Sequence, residues 1–345
     1  MNLSNGSGTI DVHIVRSTVD ARSIGQILDS EFSLGAIEDC ILLRRGFNDV
    51  YEVRLANGDR RIARLSALRS RGPANIEFEI SLLEHLRAEG TAVAAVHRTR
   101  SGKLAADVLA PEGSRPLVLF DYLVGEPPGE DVENVRLTGA ELARIHVAAR
   151  TYDGPASKYT LDADHLISKP LARIQALEHL DPNLRDDFAK AAQTLALGIQ
   201  GVALTKVVCH GDCHGGNTFI SRSAEGQSRA WFFDFDDSGP GYLAYDLAVY
   251  LWSRLLQGNL SEPDEKVATM WSAFLAGYRS VADIAEPDLD AIYTFVAVRQ
   301  LWLLGEYAGH ATYVGTHNLP GNWFRTMYEL LARWQAHPST SQRSV

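Results

Sequence analysis

The chain has 345 residues, enough for one large domain or two modest ones, and with 46% hydrophobic and 22% charged residues it can bury a full globular core. Asp plus Glu is 43 against 33 for Lys plus Arg, a formal net charge of -10, and that sign disfavours sequence-independent nucleic-acid binding, where cations must neutralise phosphates. Three cysteines, Cys40, Cys209 and Cys213, are too few for a disulfide framework and point to a reducing cytoplasm. Residues 1–16 are polar and Gly/Ser-rich without the apolar stretch of a signal peptide, and no run approaches the ~18 apolar residues of a membrane span, so no membrane role is expected.

In chain order, residues 41–44 are a short apolar strand. It meets the turn-rich tetrad Gly46, Phe47, Asn48 and Asp49, after which residues 50–55 alternate like a half-buried strand. Asn57, Gly58 and Asp59 make a hairpin turn, because Asn-Gly tolerates positive φ, and residues 61–65 return from it. Gly72 and Pro73 open a helix carried by Ile76, Ile80, Leu83 and Leu86 at helical spacing and closed at Glu89 and Gly90. Two more strands are predicted at 94–97 and 116–122, with a turn at Ser101 and Gly102.

After Gly125 the texture changes. Pro127, Pro128 and Gly129 interrupt the chain, and Thr138 with Glu141 reads as a capping box ahead of a stripe at Leu142, Ile145 and Ala149. Residues 150–205 read as helical. Short apolar strands at 206–209 and 231–233 each run into a polar cluster, and helices resume from Asp246 to the end. The expected architecture is α+β and two-lobed: a small antiparallel-sheet N-lobe with one helix, residues 1–120, a hinge at 121–125, and a larger, mainly helical C-lobe, residues 126–345.

Chemistry concentrates at His210, Gly211, Asp212, Cys213, His214, Gly215, Gly216 and Asn217. Asp212 and Asn217 lie five positions apart on a glycine-rich loop leaving a strand. Phosphoryl transfer to a hydroxyl needs such a pair: a carboxylate to take or orient the proton, and an amide oxygen to hold magnesium on the nucleotide phosphates. The next strand delivers Asp234, a hard oxygen ligand able to share that metal. Asp236 is either a further ligand or a solvated neighbour. A zinc reading of Cys209, His210, Cys213 and His214 is disfavoured, because the spacing is tighter than in paired-ligand motifs.

The run from His210 to Asn217, then Phe233-Asp234-Phe235-Asp236-Asp237, then Asp246-Leu247-Ala248, resembles the aminoglycoside phosphotransferase and choline kinase superfamily, with its protein-kinase-like fold. Its loops are especially similar to those of the bacterial stress-response kinases within that superfamily. The resemblance spans residues 40–255 and implies ATP as co-substrate with magnesium. By position it implies Asp212 as catalytic base, Asn217 and Asp234 as magnesium ligands, His210 as a packing residue and Asp246 as an anchor of the loop backbone. Gly46 and Asn48 fall in the turn covering the phosphates. Arg64 falls where the family usually has a phosphate-binding lysine, and Glu79 at its helix-borne partner. Asp121 and Leu123 fall in the hinge whose backbone meets adenine. Arginine in place of that lysine is a departure from the family pattern; Asp-Phe-Asp in place of Asp-Phe-Gly is common in the superfamily and unlike protein kinases. Read without the resemblance, Arg64 and Glu79 could be no more than a surface ion pair.

The expected reaction is transfer of the ATP γ-phosphate to a hydroxyl of a small acceptor: an aminoglycoside, amino alcohol, amino acid or sugar. Only eleven residues separate Asp234 from Asp246, too few for a regulated peptide-docking segment, which favours a small acceptor over a protein Ser/Thr kinase. A non-catalytic nucleotide-binding regulator is the third reading. Finally, Arg299, Trp302 and Glu306 share one face of an apolar helix after Pro287, either facing the substrate cleft or serving in an internal ion pair that ties helices together.

Overall fold

Six strands early in the chain join one antiparallel sheet, and their alternating side chains explain why both faces are covered. The strands are β1 (Ile37–Arg45), β2 (Asp49–Leu55), β3 (Arg60–Leu65), β4 (Val96–His97), β5 (Ala106–Ala110) and β6 (Gly113–Asp121). They run in the order β1-β2-β3-β6-β4, with β5 also paired to β6. The computed structural model describes residues 12–222, 226–258, 260 and 262–337, so residues 1–11 of the Gly/Ser-rich start lie outside the described residues.

Tyr51, Val53, Leu55, Ala63, Leu65, Leu117 and Leu119 pack on one face, against Ile24, Leu28 and Phe32. Ile24 and Leu28 belong to a helix the sequence reading lacks, α1 (Ala21–Glu31). Asp20 caps it, accepting from the Arg22 and Ser23 backbone N–H groups at 2.8 and 3.3 Å. Burying each of these apolar side chains contributes roughly 1.5–3 kcal/mol. The opposite face turns Val118 and Phe120 towards α2 (Ile76–Ala88) and the main core. That helix starts three residues later than Gly72 and Pro73 suggest. Gly72 has φ +118°, a turn conformation, and the Asn75 side chain is spent on Ser157 and the Lys158 backbone.

Among the described residues, the remainder is mainly helical around two two-stranded sheets. Its helices are α3 (Val132–Ala148), α4 (Lys169–Gln175), α5 (Pro182–Ile199), α6 (Leu243–Gly258), α7 (Glu265–Arg279), α8 (Glu286–Asp290), α9 (Ile292–Gly309), α10 (Ala311–Val314) and α11 (Gly321–Gln335). Strand β7 (Lys206–Cys209) pairs with β10 (Gly239–Tyr242), and β8 (Thr218–Arg222) with β9 (Ser228–Phe232). No helix among the described residues is long and apolar enough to cross a membrane.

Two local expectations fail here. Thr138 does not cap a helix. It sits inside α3, its hydroxyl donating to the Asn134 carbonyl at 2.9 Å, while Asp131 caps by accepting from the Asn134 N–H at 2.8 Å. Glu141 is buried and accepts from the Ala92 N–H at 2.6 Å and from Arg229 at 2.9 Å, tying α3 to the segment after α2. Residues 152–163, expected to be helical, are largely loop.

The two halves are stitched by backbone as well as side chains. Ala94 N–H donates to Phe232 O at 3.1 Å, and Phe232 N–H to Ala92 O at 2.9 Å. Just past residues 121–125, Glu126 and Ile220 exchange two backbone bonds of 3.2 and 2.7 Å. Helix α9 lies packed against α4, α6 and α11. Its Arg299 and Glu306 are buried, so each must find a partner of opposite charge.

Candidate active site

The loop after β7 is built around Asp246, a fully buried carboxylate in the first turn of α6. Its Oδ2 accepts from the His210 N–H at 2.7 Å and its Oδ1 from the Gly211 N–H at 2.8 Å; His146 Nε2 sits 2.9 Å from Oδ2. Burial pushes its pKa up, yet the bond from His146 and the charges beside it leave it lowered, so the anchor stays ionised. Gly211 has φ +85°, and a Cβ there would lie 2.1 Å from the Asp237 carbonyl oxygen, so only glycine fits. His210 is buried, packed on Phe232 and Phe235, and burial lowers its pKa. Its Nδ1 accepts from the Asp212 N–H at 3.2 Å and its Nε2 donates to the Phe233 carbonyl at 3.1 Å, joining the loop to the segment after β9 that carries Asp234. His210 is thus a packing residue, as its position implied.

Asp212, Asn217 and Asp234 converge on one cleft. Asn217 Nδ2 donates to the Asp212 carbonyl at 2.9 Å and to Asp212 Oδ2 at 3.1 Å, which leaves its Oδ1 free to face a ligand. Asp234 has φ +64°, the one non-glycine residue among those described in the left-handed region. Strain of this kind concentrates at functional sites, and aspartate is among the residues that tolerate it. Its side chain is 44% exposed to the cleft, yet the low-dielectric walls push its pKa up, Arg64 pulling the other way and Asp236 and Asp212 adding to the rise. A carboxylate so placed gains most from a cation.

On the sheet side of the cleft, Arg64 forks onto Glu79, at 2.7 Å to Oε1 and 2.5 Å to Oε2, and reaches Asp234 Oδ1 at 3.4 Å. Arg64 and Glu79 are only 4% and 1% exposed, which rules out a surface ion pair. The turn at Gly46 is braced from outside: Arg16 donates to the Gly46 carbonyl at 2.7 Å and to Asp49 Oδ1 at 2.6 Å. Asn48 donates to Asp236 Oδ2 at 2.9 Å while its own Oδ1 accepts from the Ala67 N–H at 3.1 Å. Asp121 ends β6 with its carboxylate 2.7 Å from His97 Nε2, and Leu123 lines a second cavity with Tyr122, Val124 and Trp231.

The opposite side of the cleft holds residues that no motif marked. Arg69 donates to Asp236 and Asp237, both at 3.1 Å, and to Glu306 at 2.6 Å. Arg71 pairs with the same two aspartates, and Arg173 with Glu306 at 2.6 Å. Burial pushes Asp236 up, but Arg71, Arg64 and Arg69 pull it well below the usual carboxylate range. Asp236 is therefore neither solvated nor uncommitted; its charge is already met by arginines. Phe47, at the tip of the glycine turn, packs against His310, Tyr307 and the Arg69 guanidinium.

Helix α9 supplies the floor. Arg299 Nη2 bonds Asp212 Oδ1, while Nη1 lies 3.3 Å from the Gly211 carbonyl and 3.2 Å from the Tyr245 hydroxyl. Its guanidinium lies between Trp252 and Trp302, 5.0 and 4.5 Å from the ring centres. Burial pushes Asp212 up, yet Arg299 and then His214 hold it well below the usual carboxylate range. Arg299 and Trp302 line the cleft, but Glu306 does not pair with Arg299; it serves Arg69 and Arg173. The cleft encloses about 220 Å³. The cysteines have no part in it. Burial raises Cys209 and Cys213 well above the ordinary thiol value, and they donate to the carbonyls of Tyr242 and Asp246 at 3.4 and 2.8 Å. Among the described residues no cluster of three His, Cys, Asp or Glu could hold a metal ion, which leaves the zinc reading without a site.

Residues 40–284 match the phosphotransferase enzyme family, and the chain belongs to that family. It is a kinase in the sense that family defines. An uncharacterized protein of Deinococcus radiodurans is 35% identical over 297 residues, 85% of this chain and 84% of that protein. An amicoumacin kinase in complex with AMP-PNP and Ca2+ shares the fold with a TM-score of 0.74 at 18% identity, over 92% of this chain and 93% of that one. A microcompartment-associated aminopropanol kinase does so with 0.69 at 21% identity, over 91% and 95%.

Proposed function

We propose that the protein transfers the γ-phosphate of ATP to a hydroxyl group of a small molecule, with magnesium as the metal. The observation that carries this is the convergence of Asp212, Asn217 and Asp234 opposite the locked Arg64–Glu79 pair. Asn217 Oδ1 and the Asp234 carboxylate are hard oxygen donors, and two such ligands suit magnesium, which otherwise keeps waters and takes phosphate oxygens. Bound there, magnesium would neutralise charge on the transferring phosphate. Arg64, held by Glu79, presents a fixed cation to the phosphates, and the turn at Gly46 and Asn48 covers them. The hinge backbone at Asp121 and Leu123 offers the adenine its edge.

Asp212 orients the acceptor hydroxyl. The acceptor oxygen bonds to the γ-phosphorus, the bond to the bridging oxygen breaks, ADP departs, and the hydroxyl proton passes to Asp212 and on to solvent. A carboxylate held below its usual range is a weak base, so its work is mostly alignment, which suits a loose transition state in which the proton moves late. The cleft volume and the short link from Asp234 to Asp246, filled by a turn and β10, support a small acceptor rather than a protein. The proteins of similar fold act on amicoumacin and aminopropanol, so amino alcohols and amino-bearing antibiotics head the candidates.

The test is coupled ADP release with magnesium ATP against aminoglycosides, aminopropanol, choline, ethanolamine, homoserine, threonine, hexoses and a generic protein. Acceptor-dependent turnover with one small hydroxyl compound is expected. Turnover with the protein alone would replace this reading, and failure to bind magnesium ATP would end it.

A further inference from the structure

Arg299 lies on α9, beyond the 40–284 span matched by the family, and nothing in the loop motifs marks it. Its surroundings are unusual for a buried cation. Its one carboxylate contact is Asp212, the group assigned above to orient the acceptor. The remaining contacts are neutral: two indole faces, a carbonyl and a phenol. Aromatic faces stabilise a desolvated guanidinium without consuming its hydrogen bonds. They also fix its plane, so the direction in which Arg299 meets Asp212 is set by the packing of α6 and α9.

The two oxygens of Asp212 are thereby held from two sides, Oδ1 by Arg299 and Oδ2 by the Asn217 amide. A carboxylate on a glycine-flanked loop would otherwise rotate about its side-chain bonds. We infer that Arg299, clamped between Trp252 and Trp302, is a positioning residue for phosphoryl transfer, fixing the Asp212 carboxylate in the orientation that aligns the acceptor hydroxyl. The contrast is with the Arg69 cluster, where each carboxylate meets more than one arginine and each serves to join elements. Arg299 joins α9 to a reacting group instead.

This inference rests on the kinase reading, and the experiment separates the two. Wild-type turnover tests the reading; the ratio of variant to wild type tests Arg299. In the coupled assay with magnesium ATP and the acceptor that supports turnover, Arg299→Ala is expected to lower kcat about 100-fold, the cost of a misplaced reacting group. The KM for ATP should stay within about twofold, since the lost interaction is made at the acceptor side. Guanidinium ion at millimolar concentration, filling the gap between the indoles, should restore kcat by about tenfold, an effect that a merely structural role would not give. Arg299→Lys keeps charge and bulk but loses the planar fork, so it should fold as wild type and still lose about tenfold in kcat. A kcat unchanged or raised in either variant would overturn the inference, the second result marking Arg299 as a mask on Asp212. So would a folded Arg299→Ala whose loss guanidinium does not repair.

Discussion

The two sides of the cleft are held together in different ways. On the sheet side one buried pair, Arg64 with Glu79, stands almost alone, with a longer reach to Asp234 and the Phe120 ring beneath the guanidinium. On the opposite side three arginines, Arg69, Arg71 and Arg173, share three carboxylates, Asp236 and Asp237 from one turn and Glu306 from α9, far apart in the chain. A single buried pair presents a cation in one geometry and fails outright when one partner goes. A shared cluster tolerates the loss of a member, and it joins the strand-side loop to α9 and α4 without fixing any one charge for catalysis. The first arrangement suits a cation that must be held in one position. The second suits a wall whose task is to hold shape.

That contrast can be broken or sharpened by substitution. The largest effect belongs to neither wall: Asp212→Asn should cut kcat by about 1,000-fold, within the range for a positioned proton acceptor, while calorimetry still finds magnesium ATP binding. Asp234→Asn should come next. It removes the carboxylate that burial holds high and that most gains from a metal, so the magnesium concentration for half-maximal rate should rise about tenfold or more. Glu79→Gln leaves Arg64 buried without its counter-charge, and urea unfolding should show a loss of about 3 kcal/mol with a raised KM for ATP. Arg69→Ala should cost less, about 2 kcal/mol, because Glu306 keeps Arg173 and Asp236 keeps Arg71 and Asn48. If Arg69→Ala proves the more damaging, the distinction between a lone pair and a shared cluster is wrong. The exposed pair Arg98–Glu84 sets the lower bound: despite bond lengths of 2.6 and 2.8 Å, Arg98→Ala should change stability by no more than about 0.5 kcal/mol, being screened by solvent.

The loop from His210 to Asn217, Asp234 and the Arg64–Glu79 pair were largely legible in the sequence, and the arginine–carboxylate cluster was not, for a physical reason. His210 to Asn217, Asp234 and Asp246 sit on two strand ends and a helix start that are near in sequence, so their spacing carries their geometry. Arg64 and Glu79 are fifteen positions apart on consecutive elements. Arg69 and Arg71, by contrast, meet Glu306 and Asp236 only because distant elements fold together, and no local period encodes that. Helix α9 lies between the two cases. Charged residues on an apolar helix pointed to Arg299 and Glu306, but not to their partners. They do not pair with each other; one meets Asp212 and the other Arg69 and Arg173. Helix α1 had a readable signal that went unused, Asp20 as cap followed by Ile24 and Leu28 four apart. Thr138 misled because Thr-x-x-Glu also arises where a hydroxyl back-bonds inside a helix and the glutamate serves a tertiary contact.

The most direct test of the account is phosphorus NMR of a reaction containing magnesium ATP and the acceptor that supports ADP release, with wild type and Asp212→Asn side by side. The account predicts that the γ-phosphate signal gives way to a phosphomonoester on the acceptor in the wild type and persists in the variant. Equal ester formation by both proteins, or release of inorganic phosphate with no ester in the wild type, would contradict it.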